Sequence, residues 1–282
     1  GLSVLIGGMW VMHFSYWGFN QYIIQRALAA KDIGEAQKGM LFAAFLKLLM
    51  PVIVVLPGIA AVMLAPGLDK PDQAYPTMMR LLPTGILGLV FAALVAAIVA
   101  SLASKINSVA TIFTLDFYAK SKSRPSEAKQ VKVGRIAAAI AVLLGILAAR
   151  PLLGSFDQGF QFIQEFSGFF TPGIVVLFLL GLFWKRANEA GALAAALGSV
   201  LLSAAFFWAQ KTGVYLLPFK DRVGIVFIAA LVLAVVVSLM TARAEGKDFI
   251  RTDDIDYRTP GVFNIGAVGV IIILFALYTI FW

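Results

Sequence analysis

Eight long apolar runs, at roughly 3–25, 39–64, 84–118, 132–149, 156–183, 189–209, 222–241 and 262–282, occupy most of the chain, and nearly all its charges lie in the short stretches between them. A helix needs about 20 apolar residues to cross about 30 Å of hydrocarbon. Most of the runs meet that length. The fourth is short, and the third is long enough to require tilt or an extension beyond the lipid. Of the 282 residues 61% are hydrophobic and 13% charged, more apolar surface than a water-soluble domain of this size has reason to carry. Stretches such as AAFLKLLMPVIVVLPGIAAVMLA are continuous and lack the alternation of a barrel strand. The pattern predicts an all-α membrane protein, which narrows function to transport, channel activity, intramembrane chemistry or scaffolding.

Cysteine is absent and histidine occurs once, which excludes disulfides, thiolate centres and multi-histidine metal sites. The formal charge of +8 reads as topology. With the runs alternating in direction, fourteen Lys and Arg fall in the loops around 26–38, 120–132, 185–186 and 243–258, against six around 70–80, 150 and 211–222. The positive-inside rule places the first set in the cytoplasm and both ends of this chain outside. The loops show no interleaving of basic and aromatic residues that would favour nucleic acid. The 244–261 stretch is mixed in charge and reads as a solvated linker, with cation binding by its acidic cluster as the alternative. Trp184, Tyr215, Tyr278 and Trp282 suit membrane interfaces. The first run has no basic leader, and the chain enters it almost at once, so further helices of the same protein are expected before it.

Polar residues inside the runs are the candidates for function, because hydrocarbon does not tolerate them without partners. The first run holds His13, Ser15, Tyr16, Trp17, Asn20 and Gln21 around Gly18, where a break would expose backbone groups to a solute. The alternative is a hydrogen-bonded seam between helices with a close glycine contact. Tyr16 and Trp17 offer aromatic faces to sugar C–H surfaces. Lys47 lies within the second run, which Pro51 and Pro57 should kink; it is either a solute donor or half of an ion pair. Ser101, Ser104 and Ser108 share a helical face beside Asn107, suited to cation coordination or to tight packing. In the fifth run Gln161, Gln164 and Glu165 precede an expected bend at Gly168, Pro172 and Gly173; Gln164 can address a sugar hydroxyl or a neighbouring helix. The last three runs carry few polar groups and read as support.

YWGFNQYIIQR at 16–26, EAQKG and FAAFLK within 35–47, SLAS, NS and ATIFTLD within 101–116, and the series from QFIQEF to LFLLGLFWKR at 161–186 occur in an order that resembles the sodium/solute symporter family. Within it the likeness is to the bacterial sodium/galactose transporters of the sodium/glucose cotransporter branch, and it covers the whole chain as their carboxy-terminal part. The resemblance implies a core of two inverted five-helix repeats, with residues 1–183 as the second repeat and 184–282 as three peripheral transmembrane helices. The first repeat would lie in the missing amino-terminal helices. It also implies sodium-coupled uptake of a sugar, galactose or glucose, by alternating access in a bacterial inner membrane. Sodium is then the coupling ion, and neither an organic cofactor nor enzyme chemistry is called for.

The resemblance further makes Tyr16 the aromatic cover of the sugar with Trp17 beside it, Lys47 and Gln164 hydrogen-bonding partners, and His13 the occupant of a sugar-binding asparagine position. It assigns sodium the Ala97 carbonyl and the Ser101 hydroxyl. Ala100 stands where the pattern has another coordinating serine, and Lys105 where it has an apolar residue. The alternatives are symport of another small polar solute, proton coupling, and, in a different class, a membrane solute sensor or scaffold.

Overall fold

The computed structural model describes residues 2–121, 125–153, 158–214, 217–241, 256 and 258–281. Tyr215, Trp282 and most of the 244–261 linker lie outside the described residues. In chain order the helices are α1 (2–19), α2 (Gln21–Leu28), α3 (Ile33–Leu64), α4 (Ala74–Met79), α5 (Thr84–Tyr118), α6 (Glu127–Leu153), α7 (Gly159–Gly168), α8 (Thr171–Phe183), α9 (Glu189–Lys211), α10 (Phe219–Met240) and α11 (Gly261–Phe281). There is no strand among the described residues. Helix starts follow local chemistry: the Asp32 and Asn188 side chains accept the backbone N–H of Glu35 and Gly191, each at 2.9 Å, and cap α3 and α9.

Among the described residues, six helices are long and apolar enough to cross a membrane, or up to seven if α7 and α8 count as one bent span. The run at 3–25 is not among them, and it is segmented. Wider π turns occupy Leu5–Met9 and Ser15–Phe19, and an extended Asn20 (φ −83°, ψ 115°) separates α1 from α2. The expected break therefore falls two residues beyond Gly18, which sits in the π turn that leads into it. The second run is interrupted as Pro51 predicts: a turn at Leu48–Leu49 leads into a π turn at Pro51–Val55. The fifth run bends by 43° between α7 and α8. At this bend the Ser167 hydroxyl donates to the Ile163 carbonyl (2.7 Å) and the Thr171 hydroxyl to the Ser167 carbonyl (3.0 Å).

The chain divides into two compact units, one of residues Gly1–Ile24 and Phe160–Arg258, the other of Gln25–Gly159 and Thr259–Trp282. This division by contact is a different one from the division at residue 183 that the family resemblance implies. In the first unit, Val11, Val175, Val176, Ala195, Val223, Phe227, Ala230 and Ala234 form one buried cluster. Glycines bring its helices together. A Cβ on Gly8 would lie 2.1 Å from the Lys220 carbonyl, and one on Gly191 1.9 Å from the Ser238 hydroxyl. Small residues at such crossings let backbones approach, the usual basis of helix packing in lipid. Trp10 meets Phe227 edge to face at 4.9 Å, and the Asn188 amide donates to the Ser238 and Thr241 carbonyls, tying the start of α9 to the end of α10. Helices α9 and α10, read from sequence as support, thus supply much of this unit's core.

The second unit is looser. Helix α5 packs on α6, where a Cβ on Gly134 would lie 3.2 Å from the Thr114 hydroxyl, and α11 packs on the first leg of α3, with Gly266 facing Leu41.

Candidate functional site

In the first unit, the π turn Ser15–Phe19 carries Tyr16 and Trp17 immediately before the Asn20 break. Their rings meet edge to face at 5.3 Å, and Tyr16 is 40% exposed. The Tyr22 hydroxyl donates to the Tyr16 hydroxyl at 2.6 Å, which bridges the break. Phe19 stacks flat on Phe178 of α8 at 4.5 Å and anchors the turn against the rest of the unit. A Cβ on Gly18 would meet nothing within 4 Å, so Gly18 is not a helix-contact glycine here. His13 is exposed on the turn before. Gln164 is half-buried on α7, one turn ahead of the bend. The unit thus holds His13, Tyr16, Trp17 and Gln164, and joins the aromatic turn to the bent pair through α8.

In the second unit, Lys47 is exposed and ends the regular helix Ile33–Lys47, directly before the turn that precedes Pro51. Ala97, Ala100 and Ser101 lie one turn or less apart on unbroken α5, all exposed. The serine face is graded: Ser101 is exposed, Ser104 intermediate and Ser108 buried at 8%. Ser104 is engaged, because its hydroxyl donates to the Ala100 carbonyl (3.0 Å) and accepts from Arg26 Nη2 (2.9 Å). Of the three serines, Ser101 therefore keeps the exposed position one turn from Ala97.

One pair escaped the sequence reading. Arg222, counted there among the loop charges, is only 4% exposed on the first turn of α10. It forms an ion pair with Glu165 of α7. The signal was present as two opposite charges inside the ends of apolar runs, but nothing in sequence joins positions 57 residues apart.

Among the described residues, the helices of membrane-crossing length define a multi-pass α-helical membrane protein. Residues 2–198 match the model of the sodium:solute symporter family, and the chain belongs to that family. Among its relatives, the sodium/glucose cotransporter of Vibrio parahaemolyticus is 45% identical over 301 aligned positions, covering 100% of this chain and 54% of the relative. The sodium/myo-inositol cotransporter 2 of Bos taurus is 38% identical, covering 73% of this chain and 34% of the relative. The sodium/myo-inositol cotransporter of Canis lupus familiaris is also 38% identical, over 67% of this chain and 29% of its own length. The chain thus spans about half the length of the bacterial relative and about a third of the mammalian ones.

Proposed function

We propose that this chain is the carboxy-terminal part of a sodium-coupled symporter for a sugar, galactose or glucose, in a bacterial inner membrane. One observation carries the reading: of the five solute residues singled out from sequence, four lie at or beside an interruption of their helix, and His13 lies on the turn before the π turn Ser15–Phe19. Tyr16 and Trp17 precede the Asn20 break, Lys47 ends a helical leg, and Gln164 lies one turn before the α7–α8 bend. Interrupted helices release backbone donors and acceptors to a solute in the membrane, where no water can replace them.

In this reading residues 1–183 are the second five-helix repeat, 184–282 are additional helices, and a first repeat supplies the rest of each site. Sodium enters from outside and binds the Ala97 carbonyl and the Ser101 hydroxyl. A sugar bridges Lys47, Gln164 and His13 under the Tyr16 and Trp17 rings. Both solutes bias the same equilibrium between outward and inward states, so each raises the affinity for the other by an equal factor. Low internal sodium then favours release, and no bond of the sugar is made or broken.

The deciding experiment is uptake by the full-length protein in proteoliposomes, with a panel of sugars and polyols and with sodium, potassium or proton gradients imposed separately. Accumulation of galactose or glucose driven only by sodium is the expected result. Binding without accumulation would make the protein a sensor or scaffold. A second reading, proton coupling, is favoured by two residues on α5: Ala100 offers no hydroxyl, and Lys105 brings a positive charge one turn from Ser101. Uptake driven by the proton gradient alone would select it.

A further inference from the structure

We propose that Arg222 is a positioning residue for Gln164: from the first turn of α10 it holds α7, through Glu165, at the angle that presents the neighbouring amide to the solute. The inference rests on the assignment of Gln164 to the solute site. Its structural basis is independent of that assignment and begins with the bend. Helix α7 is ten residues long and parts from α8 by 43°, so α8 does not fix its direction. A short half-helix of this kind needs a hold from outside.

That hold comes from one turn of α10. Arg222 Nη2 donates to Glu165 Oε1, and the guanidinium also lies 5.8 Å from the centre of the Phe219 ring. Both side chains of the pair are largely buried, with 5% of Arg222 and 19% of Glu165 exposed. Three residues beyond Glu165, Gly168 bears on the same turn: a Cβ there would lie 2.5 Å from the Phe219 ring and 3.2 Å from Val223. The mounting is firm, because Val223, Val226, Phe227 and Ala230 of α10 are all buried. Glu165 and Gln164 are consecutive on a helix and point about 100° apart, so fixing one fixes the azimuth of the other.

One consideration separates positioning from stability alone. A buried ion pair is a poor source of net stability, since desolvation of the two charges offsets much of their attraction. The other terminal nitrogen of Arg222, Nη1, is buried as well. The residue borders a cavity of about 10 Å³, room for about one water, which Glu165, Ser203 and Phe219 also line.

The test uses the full-length protein in lipid and two readouts. In hydrogen exchange, Arg222→Met should speed amide exchange across 159–170 by about fivefold or more while leaving the centre of α9 unchanged, because only the local anchor is lost. Arg222→Lys should restore most of the protection. In sodium-driven uptake, Arg222→Met should raise the sugar KM by about tenfold with kcat changed by less than about twofold, the pattern of a lost binding geometry. Should Arg222→Met fail to fold, Arg222→Met with Glu165→Gln removes both charges and must reproduce the same two effects. Unchanged exchange at 159–170, or a fall in kcat at constant KM, overturns the proposal. If the wild-type protein accumulates no sugar, the solute reading fails and Gln164 loses its role. The exchange result then still decides whether Arg222 anchors α7.

Discussion

The two compact units solve the same problem differently. In the first, the most apolar windows of α9 and α10 are 22% and 39% buried, and glycines at the crossings bring backbones almost into contact. In the second, the corresponding windows of α3, α5, α6 and α11 are 0% buried. Helices of equal hydropathy can therefore be either packed or bare, and hydropathy alone does not distinguish them. Small residues follow the difference in part: Gly8, Gly173, Gly191 and Gly224 sit at backbone crossings of the first unit, whereas in the second Gly134 and Gly266 meet only side chains, and Gly85 and Gly88 of α5 face nothing within 4 Å. A bare apolar face is at home in lipid. The exposed Ser101 and Lys105 on α5 are not, so that face calls for protein or an aqueous cavity.

This contrast can be broken from either side. The largest effect is expected from Gly8→Leu, which drives a side chain into the Lys220 carbonyl and Val223. Overpacking of this kind typically costs about 1–3 kcal/mol, and a fall in melting temperature of the purified protein by several degrees is expected. A wild-type melt would mean that the first unit is not packed as described. Next comes Lys47→Met in the bare unit, which should leave the melt unchanged yet lower sodium-driven sugar uptake by about tenfold or more, as fits loss of a charged hydrogen bond worth about 1.5–3 kcal/mol. Equal transport would make Lys47 a topological charge.

Ser101→Ala should raise the sodium concentration for half-maximal uptake about three- to tenfold, in line with one lost ligand bond of about 1 kcal/mol, while Ala100→Ser lowers it or leaves it unchanged. An unaltered sodium dependence, together with a proton dependence shifted by Lys105→Met, would favour the proton-coupled reading. The smallest effect is expected at Gly88→Ala, where relief of glycine's helix penalty gives a gain of up to about 1 kcal/mol in the melt of the full-length protein. A loss at Gly88 would sharpen the comparison, because it would place another protein surface, not lipid, against α5.

Much of this architecture was legible in sequence. Length and hydropathy predicted α3, α5, α9, α10 and α11, and proline and glycine predicted the interruptions at Pro51 and near Gly168, because these residues change backbone hydrogen bonding locally. The first run reads in sequence as one span in which Gly18 marks either a break or a close helix contact. It is broken at Asn20 instead, where the choice between π, α and extended backbone depends on contacts such as Phe19 on Phe178. The polar candidates were legible as residue types, since an isolated lysine or glutamine in an apolar run needs a reason. Their partners were not: the burial of Arg222 and its pairing with Glu165 arise from the approach of α10 to α7, which has no local signature.

The bend between α7 and α8 has a further consequence. Its Ser167 and Thr171 hydroxyls return to carbonyls of the preceding turn, and the Phe170 amide also reaches the Ser167 carbonyl at 3.1 Å. A kink normally bares carbonyls that attract water, and a file of water through a bilayer lets ions and protons escape down their gradients. Here the two hydroxyls add protein donors beside the joint, at the Ile163 and Ser167 carbonyls. In the proposed symport, donors so placed would leave fewer carbonyls for water to serve at the joint while the two solutes cross.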